Sequence, residues 1–321
     1  MEGCAWQCRN EDVKILIMVI MKNIDTMIAI KYNKKKTGGQ DTMSTMIKKT
    51  AGGVKFNIER YDSALKVADN CRKRKMTSDR FHDMQNEPIT SWHGVKSYDE
   101  AISFLRNGYQ PVVDSMRGVF KLNKMGESSR FSFSNEIQGF APVVPLALKG
   151  VPNSMVNMTM KPIKAKVIDV YYDMTASCGV DSDKIIEAGK TLLSTIIEFE
   201  RQGYRFNLYS MQTYSDSREC DMLVVKVKDA KQPIDLKRIS FAIAHTGFFR
   251  VIGFDWYSKV PNGKYRSAYG MALSYNLEGN KYKNTMKELF GKNTVSFSAV
   301  NIIKGGKDYI VQEMKNNGDK N

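Results

Sequence analysis

The chain has 321 residues, 42% hydrophobic and 10% aromatic, with 49 Lys/Arg against 34 Asp/Glu for a net charge of +15. These values exclude a disordered chain, and the length suffices for one large core or two modest ones. A basic excess favours polyanionic partners such as nucleic acid or an anionic surface. Here it is spread evenly, with 24 basic and 16 acidic residues over 1–160 and 25 and 18 over 161–321.

Residues 13–21 form an apolar run that Lys22, Asn23 and Asp25 interrupt, well short of the roughly 20 residues a spanning helix needs. No small-residue cleavage site follows, so it does not read as a secretory segment. Gly38 and Gly39 stand just before Met43. Their codons can spell a purine-rich ribosome-binding sequence, so Met43 is the expected start and 1–42 a leader outside the fold. Five cysteines, Cys4, Cys8, Cys71, Cys178 and Cys220, are odd in number and irregular in spacing. No paired C-x₂-C knuckle exists, which argues against structural zinc and for a reducing cytosol.

Residues 43–162 are expected to form a small α+β or irregular region. A helix is expected around Ile58–Asn70, followed by the basic run Arg72, Lys73, Arg74 and Lys75. Such a run is a solvated helix end or a phosphate contact patch. Ser91–Val95 reads as a short extended segment in which His93 is expected to be packed and hydrogen-bonded, with a catalytic role the alternative, though no Cys or Ser partner with a positioned acid is identifiable. Ser97 and Glu100 make a capping box for a helix that Asn107-Gly108 stops. The Gly-, Ser-, Pro- and Asn-rich stretch 126–162 argues against long helices. Phe131, Phe133 and Phe140 punctuate it and are expected in the core, with base stacking the alternative.

From 163 the pattern becomes strand–helix alternation. A strand over 165–172 ends on Asp173, and a helix follows over 184–202 with Gly203 as its stop. Tyr204–Met211 and Met222–Lys228 read as a hairpin. A helix runs from Asp235 to about Ala244. Phe248–Trp256 reads as a strand leading to Asp255, Lys281–Phe290 as a helix, Val295–Ile303 as a strand and Lys307–Asn316 as a last helix. This alternation implies an α/β fold with a doubly wound, mostly parallel sheet over 163–321.

Asp173, Thr175 and Ser177 place one carboxylate and two hydroxyls at the carboxyl end of a buried strand, a donor set suited to Mg²⁺ or Mn²⁺. The D-x-[ST]-x-S spacing between a strand and a long helix resembles the metal-ion-dependent adhesion motif of von Willebrand factor A-like domains. That family also brings a threonine and an aspartate to the ion from other loops. The resemblance implies Thr213 or Thr246 for the first and Asp255 for the second. The alternative is that Asp173, Thr175 and Ser177 only build the turn and cap. The order of Ser91-Trp92-His93-Gly94, Ser97-Tyr98-Asp99-Glu100-Ala101, Pro142–Ser154 and the Asp173 unit resembles an uncharacterised domain family of tailed-phage and prophage proteins. It implies a phage protein acting in the host bacterial cytoplasm.

No G-x-G-x-x-G, P-loop or G-x-S-x-G is present. The expected function is a non-enzymatic binding protein presenting a divalent-cation-dependent surface to a protein partner, with no membrane span. The alternatives are nucleic-acid binding through Arg72, Lys73, Arg74 and Lys75, and metal-dependent phosphoester hydrolysis around Asp173.

Overall fold

The computed structural model describes residues 44–121, 129–162, 166–261, 269 and 271–318. The expected leader, with Cys4 and Cys8, lies outside them. The first elements among the described residues are the hairpin strands β1 (Thr45–Ala51) and β2 (Val54–Tyr61), joined at Gly52-Gly53. The helix expected from Ile58 begins later, as α1 (Ala64–Lys73), because Phe56, Ile58 and the buried Glu59 belong to β2. Ser91–His93 is a 3₁₀ turn and not an extended segment. The Thr90 N–H donates to His93 Nδ1 at 3.1 Å, and Gly94 leaves the turn at φ 78°. A Cβ at Gly94 would lie 2.5 Å from Thr246 Oγ1, so both conformation and space require glycine.

Helix α2 (Tyr98–Asn107) starts as expected, with Ser97 Oγ accepting from the Glu100 N–H at 3.1 Å. The Glu100 carboxylate reaches the N–H of Lys96, one residue beyond the usual reciprocal partner. Helix α3 (Gln110–Lys121) follows. Residues 129–162 then form a three-stranded antiparallel sheet from β3 (Ser129–Glu136), β4 (Ala141–Pro142) and β5 (Met155–Pro162), with the short helix α4 (Val144–Leu148) before β5. Phe133 and Phe140 are 63% and 66% exposed on it, against the expectation of core packing.

The second half contains β6 (Lys166–Asp173), α5 (Ser182–Arg201), β7 (Tyr204–Ser215), β8 (Glu219–Lys228) and α6 (Leu236–Ala244). The hairpin β7–β8 is longer than its apolar residues suggest, and only 216–218 turn. The strand expected over Phe248–Trp256 is instead a π-helical stretch, Phe248–Gly253, running into α7 (Phe254–Lys259). Every residue of both is buried, so no polar face marks the helical period. Gly253 lies against the Gln212 side-chain amide, which a Cβ would displace. Helices α8 (Leu273–Asn276) and α9 (Gly279–Phe290) precede β9 (Thr294–Ser298). The expected strand over Val295–Ile303 ends at Ser298, where α10 (Ala299–Gly318) begins; Gly306, at φ 58°, breaks that helix.

Six strands make one mixed sheet in the order β1-β2-β8-β7-β6-β9. Strand β6 is parallel to β7 and β9, β2 is parallel to β8, and the pairs β7–β8 and β1–β2 are antiparallel. The fold is mixed α/β, and strands from both halves of the chain share this sheet. Alternation assigns the faces. Tyr172, Leu208 and Leu223 pack with α2, α3, α5, α6 and α7, while Tyr171, Met211 and Phe56 pack with α8 and α9. Among the described residues no helix is long and apolar enough to cross a membrane.

Candidate functional site

Asp173 ends β6 opposite Met211 in the parallel register with β7, so Thr213 lies two residues further along on the same face as Asp173. The carboxylate is fully buried. Its Oδ1 accepts from the Thr175 N–H at 3.0 Å and its Oδ2 from the Thr213 hydroxyl at 2.7 Å. Thr175 Oγ1 accepts from the Thr213 N–H at 2.8 Å, and Thr213 Oγ1 accepts from the Leu273 N–H at 2.9 Å. These bonds tie β6, β7 and α8 together. Burial pushes the Asp173 carboxyl up to about 6, against the pull of the Thr213 and Thr175 hydrogen bonds.

The structure unites Asp173, Thr175 and Thr213 but not the rest of the expected ligand set. Ser177 is exposed on the turn, and its Oγ accepts from the Gly179 N–H at 3.5 Å. Thr246 donates to the His93 carbonyl at 3.5 Å. Asp255 is the counter-ion of Lys259 at 2.6 Å, and its other oxygen accepts from Gln85 and the Tyr98 hydroxyl at 2.7 and 2.8 Å. The donors present do not fit Mg²⁺ or Mn²⁺. Mg²⁺ requires near-octahedral oxygen ligands and keeps several waters. Here the carboxylate is sealed from solvent, both its oxygens accept protein hydrogen bonds, and the second carboxylate serves Lys259. Among the described residues no three His, Cys, Asp or Glu side chains converge on a metal position. Millimolar Mg²⁺ should therefore leave the melting temperature unchanged; a rise that Asp173→Ala abolishes would restore the metal site.

The basic run is divided by the helix. Arg74 turns inward and makes a bidentate pair with the fully buried Glu59, at 2.9 and 2.7 Å. Glu59 also accepts from Ser44 at 2.6 Å and from the Trp256 indole at 2.8 Å. Arg72 is exposed and pairs with Asp99 at 3.3 Å, and Lys73 and Lys75 are exposed. Changing Arg72, Lys73 and Lys75 to serine should alter stability by no more than about 0.5 kcal/mol in urea titrations. A larger loss would give these side chains a structural role.

The turn that hides Asp173 forms the wall of a pocket of about 930 Å³. Thr175, Ala176, Ser177 and Cys178 line one side, and the segment His82–His93 lines another. Tyr214, Phe249, Phe254, Tyr269 and Tyr275 supply aromatic surface. Phe254 stacks on Tyr269 at 4.0 Å between centroids and on Trp92 at 6.1 Å. Trp92 is fixed at both ends. Its indole N–H donates to the Cys178 carbonyl at 3.1 Å, and its carbonyl accepts from Arg250 at 2.6 Å.

Arg250 is fully buried beneath this wall, with its guanidinium carbon 4.1 Å from the centre of the Trp92 ring. It also donates to Ser182 Oγ at 2.9 Å and the Val180 carbonyl at 2.7 Å. Burial lowers it from the usual arginine range to about 10. His93 is hydrogen-bonded to Thr90 and lies half-buried on the pocket wall, while the buried histidine is His245, which burial pushes down to about 4. The sequence holds no local pattern for this pocket, because its parts come from five separated segments. The Asp173 turn is the exception.

The arrangement defines a mixed α/β protein with an aromatic pocket at the carboxyl end of β6. The chain belongs to the family described as "Domain of unknown function (DUF7192)", whose model matches residues 39–315. No curated protein and no solved structure matches the chain.

Proposed function

We propose that this chain is a non-enzymatic binding protein whose ligand, a small molecule or a side chain of a protein partner, enters the aromatic pocket above the Asp173 turn. The observation that carries the reading is the position of a pocket of about 930 Å³ at the carboxyl end of β6, with Thr175, Ser177 and Cys178 on its wall. Open α/β sheets bind ligands beyond the carboxyl ends of their strands, and the volume falls in the range of small-molecule sites.

The strand order β8-β7-β6-β9, with the D-x-T-x-S turn after β6 and a 20-residue helix after the turn, supports a von Willebrand A-like reading of the second half. In that reading the position of the family's ion is taken by internal hydrogen bonds among Asp173, Thr175 and Thr213. Recognition then rests on the aromatic wall and needs no bridging cation. Fold analogy alone does not choose a ligand.

The test is a small-molecule library screened by saturation-transfer NMR against the parent and Cys178→Trp. Cys178 is exposed on the pocket wall, so the indole fills the site without entering the core. Compounds that bind the parent and lose binding to Cys178→Trp are expected. Equal binding to both proteins, or no binder at all, would overturn the reading.

A further inference from the structure

The charges around the pocket run against those of the chain. In a protein of net charge +15, no Lys or Arg stands among the described residues lining it. Its one carboxylate is Glu87, at the rim, 46% exposed and paired with His82 at 2.7 Å. A second carboxylate lies behind the wall, where Thr175 faces the pocket and its N–H holds Asp173. The groups that hydrogen-bond Asp173 are the Thr175 amide and the Thr213 hydroxyl, both neutral, so no bonded cation cancels its charge. In a low-dielectric wall that charge is felt across several ångströms.

Among the described residues, the cation that packs against the lining is Arg250, over the Trp92 ring. It is fully buried against the Trp92 ring, and its two terminal nitrogens donate to the Trp92 and Val180 carbonyls and to Ser182, while its Nε has no partner among the described residues. The pocket therefore meets the indole and not the guanidinium. The rest of the wall is aromatic, but Trp92, Phe254 and Tyr269 stack on one another and Tyr214 stacks on Tyr257, so the rings give apolar contact to the body of a ligand and the carboxylates carry the preference for a cation.

We infer that the pocket selects an organic ammonium ion with an apolar body, held between the aromatic wall of Trp92, Tyr214, Phe254 and Tyr269 and the negative charges of Glu87 and Asp173. This rests on the pocket reading above and adds the charge of the ligand. An anionic ligand would meet Glu87 and, behind the wall, Asp173, with no Lys or Arg among the described lining residues. A neutral ligand would gain the apolar contact alone.

Three probes of one shape separate the cases: benzyltrimethylammonium, its uncharged isostere neopentylbenzene, and benzylsulfonate. Binding is read by tryptophan fluorescence and by NMR line broadening of the probe. Benzyltrimethylammonium should bind the full chain at least ten times more tightly than neopentylbenzene, and benzylsulfonate should bind least. Glu87→Gln should weaken the cation at least three-fold and leave the neutral probe unchanged, which a general loosening of the pocket would not do. Cys178→Trp should abolish binding of both the cation and the neutral probe. Equal affinity for the cation and its isostere, or tighter binding of the sulfonate, would overturn the charge preference while leaving the pocket as a binding site. Failure of all three probes to bind would overturn both.

Discussion

Arg74→Ala should cost the fold about 3–5 kcal/mol, the usual penalty for removing one partner of a buried ion pair. Glu59 is fully buried and accepts four hydrogen bonds, two of them from Arg74. The substitution leaves a carboxylate inside the protein with only Ser44 and the Trp256 indole to stabilise it. Burial by itself pushes Glu59 up, but the hydrogen bonds from Arg74 and Ser44 and the Arg74 charge bring it below the ordinary glutamate value. The folded value is depressed, so the stabilisation is complete above the unfolded value near 4.3 and is lost as pH falls through the folded one. In Arg74→Ala this contribution should vanish, so the loss relative to the parent should be full above about pH 5 and shrink as pH falls through the folded value. Urea unfolding from pH 3 to 8 measures both effects. A loss below about 1 kcal/mol, or one that does not shrink at acid pH, would show that the pair is not what holds α1 against β2.

Asp173→Asn should do the opposite and stabilise the protein at neutral pH, by up to about 3 kcal/mol. A folded carboxyl raised from 3.8 to about 6 binds its proton more tightly in the native state. Stability therefore falls as pH rises from about 4 to 6 and stays lowered above that, because each tenfold difference in proton affinity between the folded and unfolded carboxyl is worth about 1.4 kcal/mol. Asparagine keeps an acceptor for the Thr175 N–H and removes the charge. The difference between variant and parent should be near zero at pH 4 and largest above pH 7. A constant difference across that range would show that Asp173 carries no buried charge. A variant less stable at neutral pH would show that Asp173 works as a brace whose hydrogen bonds asparagine cannot reproduce. The sign also matters for function, because a protein that tolerates a destabilising charge at the pocket wall gives up stability that asparagine would restore.

The parts of the fold legible in sequence are those with one wet and one dry face. Helix α5 carries its buried residues on a stripe, and β6 reads as a β-branched and aromatic run ending on a polar turn. The hairpin β1–β2 is absent from the expected elements, although Gly52-Gly53 between alternating runs is a turn signal. Residues 248–259 give no signal, since a segment buried all round has neither a 2- nor a 3.6-residue period to read. At the candidate site, spacing finds Asp173 and Thr175, while the family resemblance offers Thr213 or Thr246, and only the register of β6 on β7 places Thr213 at the carboxylate. Asp255 departs from its expected place for a physical reason: it sits four residues from Lys259 on a helix, and the ion pair made there is invisible while the segment reads as a strand. The aromatic wall needs Trp92, Tyr214, Phe254 and Tyr269 together, and only tertiary structure brings them within reach.

The stacked Arg250–Trp92–Phe254–Tyr269 column joins the 3₁₀ turn, the amino end of α5, the π-helical stretch, α7 and Tyr269. Most ligand sites must spend part of their binding free energy on ordering loops. Here Trp92, Phe254 and Tyr269 are already held by the guanidinium bonds and the stacked rings, so these side chains have little conformational entropy left to lose on association. Affinity should then track shape and charge directly, complexes should form without a slow closing step, and a guest of the wrong outline should be refused where a more yielding site would deform to accept it.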